Sequence, residues 1–411
     1  MSYNALPSAL RRISLVAVTS VLSVSALAAC GSSDGTKAKD SGSKGGAAQI
    51  SVKMVSGTNG DECQVSETTA PAGPVTFEVT NESASGLTEF EILSGEKIIG
   101  EKESLAPGLP KATITLTMGG GDYTIYCPGA TTEKTTFKVT GKAAAAPTGT
   151  AAELLQQGAT EYATYVTTQL GGMVTGVQKL KEAVDAGDVA AAQKAYVEAR
   201  PFYEKIESDV AGFVLPGFDP TDNKGNLDYL VDMRASNKDD AVGWSGFHAV
   251  ERDVFGAKKI TAQTKKYAAD LVTNVTKLAE LSKSLTYKPE DLANGAAGLL
   301  EEVQANKISG EEEAFSHTDL VDFASNVEGA QQAFEALRNG LNEIDKTLTE
   351  TIAKRFSDVT TLLETYKDPS ALGGYKLYTP ELKKTDASKL SQSVQALQDS
   401  LSRLAEKVAT A

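Results

Sequence analysis

His248 and Glu251 stand three residues apart in GWSGFHAVERDVFG, in a chain of 411 residues with only one other histidine, His317. On a helix that spacing sets an imidazole and a carboxylate on one face, one turn apart, where both can reach a single ion. The spacing alone is thin support: with 54 acids among 411 residues, an acid falls three places after a given histidine about 13% of the time by chance. Two ligands do not hold a metal, so the remainder must come from other helices, and carboxylates are the only plentiful donors. ARPFYEKIESDV offers Glu204 and Glu207, again three apart, beside Tyr203. DPTDNKGNLDYLVDMR carries Asp219, Asp222, Asp228 and Asp232, while KISGEEEAFSH sets Glu311 and Glu312 after a glycine that breaks or bends a helix. Taken singly, each acid reads equally as solvated helix surface. A set of imidazole and carboxylates is hard and oxygen-rich: it suits iron as Fe2+ or Fe3+, Mn(II) or Ca(II), with Zn2+ able to substitute. The second histidine, in SHTDLVDF, reads as a junction at which Ser316 or Thr318 caps a helix, or as a group that orients a ligand carboxylate.

Those residues need a scaffold and a compartment. Arg11 and Arg12 precede ISLVAVTSVLSVSALAA, an apolar stretch interrupted by Ser and Thr and followed by no polar stop-transfer flank. Residues 1–29 therefore read as a secretory signal peptide rather than a membrane span. LAAC resembles the bacterial lipobox, in which cleavage leaves Cys30 for lipidation; an ordinary signal with an incidental cysteine is the alternative. General and twin-arginine export both stay open. Residues 30–47, rich in Gly, Ser and Lys, are too polar to fold and suit a flexible tether holding an extracytoplasmic body at the cell membrane. Loss of Arg11 and Arg12 with the signal, which contains no acid, takes the net charge from −14 to −16. That acidity argues against nucleic acid or anionic lipid as partner and suits cations.

The body divides at GKAAAAPTGT. Over 48–141, ISVKMV, PVTFEVTN, FEIL, ATITLTM, DYTIYC and TTFKVTG are short β-branched runs between Gly and Pro turns, which indicates an all-β sandwich. After a linker over 142–150, residues 151–411 repeat apolar residues at helical spacing, enough for one large all-α core or two fused four-helix bundles.

The order of these parts carries a resemblance. A lipoprotein signal, a small β-domain, a helical domain with GFHAVE, and then KISGEEEAFSHTDLVDF together resemble the EfeO family, extracytoplasmic components of bacterial EfeUOB iron-uptake systems, over essentially the whole mature chain. The resemblance implies a cupredoxin-like β-sandwich fused to an imelysin-like helical domain, a metal centred on the HxxE of His248 and Glu251, and as partners an iron permease and a haem-containing peroxidase. YEKIE is similar to the family's run ahead of that helix, which makes Glu204 the preferred third ligand. The family commonly places an aspartate in the region of Asp222 and Asp228, of which Asp228 is preferred; from the residues themselves, Glu311, with Glu312 beside it, is expected to close the site.

The β-domain raises its own question. Type 1 copper requires two histidines, and residues 48–140 contain none, so that cofactor is excluded. Cys63 and Cys127 read as a disulfide in an oxidising compartment. The resemblance offers a second metal site instead, formed by the two cysteines with Glu89, Glu91 or Asp122. Trp244 and Phe247 read as packing residues. Three functions compete: an iron-capturing transport component, an imelysin-like metallopeptidase, and a non-catalytic surface-interaction lipoprotein. No HExxH and no nucleophile triad exist, so the chain is expected not to be an enzyme.

Overall fold

Alternation along AQISVKMVSG turns Ile50, Val52 and Met54 to one face, and all three are buried. The protein is seen here as a computed structural model, which describes residues 46–95, 97–142 and 148–411. The signal peptide, Cys30 with its lipidation, and all but the last two residues of the tether lie outside the described residues.

Nine strands form two sheets: β1 (Ala48–Gly57), β2 (Gly60–Val65), β3 (Thr69–Pro71), β4 (Gly73–Asn81), β5 (Phe90–Ser94), β6 (Lys97–Lys102), β7 (Ala112–Met118), β8 (Gly121–Tyr126) and β9 (Lys134–Thr140). One sheet runs β2-β1-β4-β7, with β1 parallel to β4; the other runs β3-β9-β8-β5-β6, with β3 parallel to β9. Their buried faces share one core, in which Phe77 meets Phe90 and Phe137 with ring centroids 5.8 and 5.3 Å apart. Cys63 on β2 and Cys127 just after β8 are joined as a disulfide with Cα atoms 6.4 Å apart, tying one sheet to the other. A disulfide sulfur has no thiolate to offer a metal. Burial raises the Glu89 carboxyl, against the charge of Arg234 in the helical region, while Glu302 adds to the rise.

The helices are α1 (Thr150–Ala186), α2 (Val189–Glu204), α3 (Glu207–Val210), α4 (Leu227–Asp232), α5 (Gly246–Glu251), α6 (Ala262–Leu281), α7 (Pro289–Glu302), α8 (Asp319–Glu364), α9 (Pro380–Leu401) and α10 (Leu404–Ala409). Along α1 the buried residues Leu155, Ala159, Tyr162, Val166, Leu170, Met173, Val177, Leu180 and Val184 recur every three or four places, so one stripe faces the core. Gly187, at φ 74°, closes α1 by donating its N–H to Ala183 and Val184, and Asp188 caps α2 through Ala191 N–H, which folds the two helices into a hairpin. Helices α1 and α2 pack with α8 and with each other, α6 packs on α1, α7 and α9 also pack with α8, and α10 packs on α7. A single apolar core runs through these helices, and α8 bends at Asp345, where φ is −153°.

Helix α7 also seals the β-domain. β7 is an edge strand, and its outward groups are taken by side chains: Thr115 N–H donates to Asn294 Oδ1 at 3.3 Å, and Asn294 Nδ2 donates to the Thr115 carbonyl at 2.6 Å. Glu290 accepts from Thr117 N–H, and Lys288 donates to its carbonyl. The buried Lys102 ammonium, 2.7 Å from Glu301, completes the junction.

Candidate metal centre

Helix α5 is only six residues long, and its placement depends on Gly246. That residue has φ 69°, and a Cβ there would lie 2.1 Å from the Val231 carbonyl oxygen. Only glycine lets the start of α5 press against the end of α4. Ser245 Oγ pins the same junction by donating to the Leu230 carbonyl at 2.8 Å. The result brings His248 against Asp232, the last residue of α4, with Nε2 3.5 Å from Oδ1. A π-helical turn, Arg252–Gly256, follows directly after Glu251, and a second, Val303–Lys307, ends α7 at the same centre. Such wide turns concentrate at functional sites because they displace side chains from regular helix register.

His248 is 1% exposed and its ring is bracketed on both sides. Nδ1 lies 2.9 Å from Glu251 Oε2 and 3.3 Å from the Tyr196 hydroxyl. Nε2 has Asp232 Oδ1 at 3.5 Å and Glu312 Oε1 at 3.6 Å, but makes no hydrogen bond. Among the described residues, two donor groups close around the ring: Asp232, His248 and Glu312, and His248, Glu251 and Glu313, with the donor atoms of each group within 4.8 Å of one another.

Each carboxylate is held by its neighbours. Glu251 Oε1 accepts from the N–H groups of Phe315 and Ser316 at 2.8 and 2.7 Å. Glu313 accepts from the Tyr196 hydroxyl at 2.9 Å and from the hydroxyls of Ser316 and Thr318. Those two hydroxyls therefore serve Glu313, and neither caps α8. His317 stays outside both donor groups; at φ 59° it turns the chain, and its carbonyl accepts from Tyr378 N–H at 2.8 Å.

Arg200 stands at the middle of the cluster, bonded to Asp232, Glu204 and Glu312, with Glu313 at 3.3 Å and Asp322 at 3.6 Å. Lys307 places its ammonium 3.2 Å from Glu204 and 3.6 Å from both Glu207 and Glu312. Eight buried carboxylates (Glu204, Glu207, Asp232, Glu251, Glu312, Glu313, Asp319 and Asp322) thus face Arg200, Lys307 and the largely covered Arg234. The negative excess shows in the titration of the groups. Burial, then the charge of Glu251, pushes Glu313 up to about 7. Burial, then Glu313, pushes Asp319 and Asp322 well above the carboxylate range. Burial opposes the charge on His248, yet Asp232, Glu251 and Glu312 outweigh it and hold the imidazole protonated well above its ordinary value. Burial likewise opposes the charge on Glu312, but Lys307, Arg234, His248 and Arg200 keep it ionised.

Of the six expected ligands, the structure brings His248 and Glu251 together and sets the other four around them. Glu204 pairs with Arg200 and Lys307, and Glu207 turns away toward Lys307 and a neighbouring cavity. Asp228 is one turn short on α4: it accepts from the Tyr203 hydroxyl, and Asp232 takes the place at the imidazole. Glu311 is partly exposed and outside both groups, because the loop after Gly310 points Glu312 and Glu313 inward. No third donor group forms among the described residues, and none includes Cys63, Cys127 or Glu89.

The arrangement is that of an all-helical domain, carried behind a β-domain, with a buried imidazole–carboxylate cage. The Imelysin family (Peptidase_M75) matches residues 158–404. The iron uptake system component EfeO of Yersinia pestis is 35% identical over 347 residues, 84% of this chain and 88% of the relative. Its counterpart from Escherichia coli O1:K1 is 33% identical over the same shares. An imelysin-like protein of Psychrobacter arcticum 273-4 superposes on 62% of this chain and 95% of its own, with TM-score 0.44 and 13% identity. The chain belongs to the EfeO family of imelysin-domain proteins.

Proposed function

We propose that this protein is the iron-binding component of an uptake system: it captures iron outside the cytoplasm at the His248 centre and delivers it to a membrane permease. The observation that carries this reading is the buried Nε2 of His248, which has no hydrogen-bond partner and faces the carboxylates of Asp232 and Glu312. A buried polar atom without a hydrogen-bond partner is costly, and a cation ligated there would supply one by replacing the proton that the carboxylates hold on the ring. The donor set is hard enough for Fe2+ or Fe3+ and also accepts Zn2+. Relatives named as iron uptake system components support iron as the cargo. Arg200 and Lys307 give the mechanism its reversibility. They neutralise the carboxylates when the ion is gone, which lowers the cost of the empty state and keeps binding from becoming irreversible.

The rest of the reading follows from the chain itself. Cys30 anchors the mature protein by a lipid, and no helix among the described residues is long and apolar enough to cross a membrane. The β-domain is taken as cupredoxin-like in fold but without type 1 copper, since it has no histidine. A permease and a haem-containing peroxidase are the partners to seek. A peptidase role has no support in the site: the histidine in it is clasped by carboxylates, and His317 belongs to neither donor group.

Anaerobic titration of the metal-free mature chain with Fe(II), Fe(III), Zn(II) and Mn(II) tests this. Wild type should bind iron stoichiometrically, and His248→Ala should weaken binding at least tenfold. Equal binding by both chains, or by neither, rejects the assignment. Casein cleavage that a chelator abolishes would instead favour the peptidase.

A further inference from the structure

We infer that Tyr378 is a positioning residue that latches the chain between Ile308 and Thr318 over the His248 centre, so that its release sets how fast an ion enters and leaves. The inference rests on the reading of that centre as the place where iron is bound. The five donors there are each at most 5% exposed, so no ion reaches them unless part of the wall moves.

The connection from 308 to 318 is the part built to move. Asp232, His248 and Glu251 sit on helices, but Glu312 and Glu313 lie on this stretch of turns between the π-turn of α7 and the start of α8. It also holds a third carboxylate: the N–H groups of Phe315 and Ser316 fix Glu251 Oε1 at 2.8 and 2.7 Å. Swinging it outward removes Glu312 and Glu313 and frees Glu251 in one motion. Asp232 and His248 are then left, too few to keep an ion. A left-handed residue stands near each end of the connection, Gly310 at φ 67° and His317 at φ 59°. Glycine adopts that conformation freely, whereas for His317 it is costly and persists only where the surroundings impose it.

Tyr378 imposes it. Its backbone N–H donates to the His317 carbonyl at 2.8 Å, and its hydroxyl donates to the Ile308 carbonyl at 3.1 Å, so one residue clasps both ends of the connection. Its ring also lies over Gly310, where a Cβ would stand 3.6 Å from Tyr378 Cδ1. Lys383 adds a bond from its ammonium to the Ser309 carbonyl. The base of the latch is itself fixed. Lys376 N–H donates to the Tyr366 carbonyl at 2.9 Å, just past the end of α8, and Thr379 caps α9 through Leu382 N–H. Tyr378 is 2% exposed and bonds backbone carbonyls of the connection, not the five donors, so it acts on the ion only through the stretch it holds.

Tyr378 grips the connection in the empty and the loaded site alike, so weakening it raises the open fraction of both and changes rates rather than affinity. Co(II) binding to the metal-free mature chain can be followed by stopped-flow quenching of Trp244, with dissociation read after a chelator chase. Trp244 is the single tryptophan and packs on Phe315 of the connection, ring centroids 6.2 Å apart. Tyr378→Phe keeps the ring and deletes the hydroxyl bond. It should speed association and dissociation together by about threefold or more, as the loss of one neutral hydrogen bond allows, with their ratio within twofold of wild type. Lys383→Met, at an exposed position, should give a smaller rise of the same kind and serves if Tyr378→Phe fails to fold. Unchanged rates in both variants, or a loss of affinity with association unchanged, overturn the latch while the His248 assignment stands. No binding by wild type overturns both.

Discussion

At the scale of single residues, Arg200 decides how the metal-free site survives. Its guanidinium is 1% exposed and touches five carboxylates, so removing its charge leaves a buried anionic cluster uncompensated. Arg200→Met should cost the metal-free chain roughly 3–5 kcal/mol in urea unfolding, and added Mn(II) should restore more stability to the variant than it adds to wild type. A metal effect equal in both would mean that the guanidinium and the ion do not share ligands. Neither Arg200 nor Lys307 was legible as part of the site, because a cation within an amphipathic helix reads as surface. The imidazole and Glu251 were legible from their spacing, whereas Asp232 was not distinguishable from Asp228. The two stand four apart on one helix and share a face, so periodicity cannot choose between them. In GEEEAF the run of three glutamates has no period at all, and which of them turns inward is set by the preceding π-turn and by the loop that His317 closes.

At the scale of elements, α3 is held to α1 by the Tyr162 hydroxyl, which donates to Asp209 Oδ2 at 2.8 Å. Burial raises the Asp209 carboxyl to about 7, with the Tyr162 bond pulling the other way. The unfolded carboxyl titrates near 4. Between about pH 4 and 7 the folded chain therefore keeps a proton that the unfolded chain releases, so raising pH through this window favours unfolding, and above it the loss is complete. Metal-free wild type should show a lower urea midpoint at pH 7.5 than at pH 5, and Asp209→Asn should flatten that difference. Strand legibility followed position in the sheet in part, since β7 is also an edge strand and was readable. Six strands were readable from β-branched alternation, and the three that were not, β2, β3 and β6, each close an edge. An edge strand is paired on one side only and carries charge or proline, as in GDECQV, TAP and KIIGEK, which blurs the pattern.

For the whole molecule, the two sheets and the helices divide the work. The Cys63–Cys127 bond closes a stretch of 64 residues and contributes about 4 kcal/mol through the unfolded chain's lost entropy. Changing both cysteines to serine should lower the melting temperature and leave the metal stoichiometry of the mature chain as it was; a stoichiometry lower by one would place a metal at those sulfurs. The division is not independence, however. Asn294 lies along β7 as a further strand would, meeting both backbone groups of Thr115 with one amide. Cut away from α7, residues 46–142 would present that row of donors and acceptors to solvent, a template on which another copy could add. The β-domain prepared alone should therefore elute as dimers and larger species in size-exclusion chromatography, and a charge placed at Thr115 should return it to the monomer. Helix α7, which runs into the π-turn that carries Lys307, is also what keeps the sheet from polymerising.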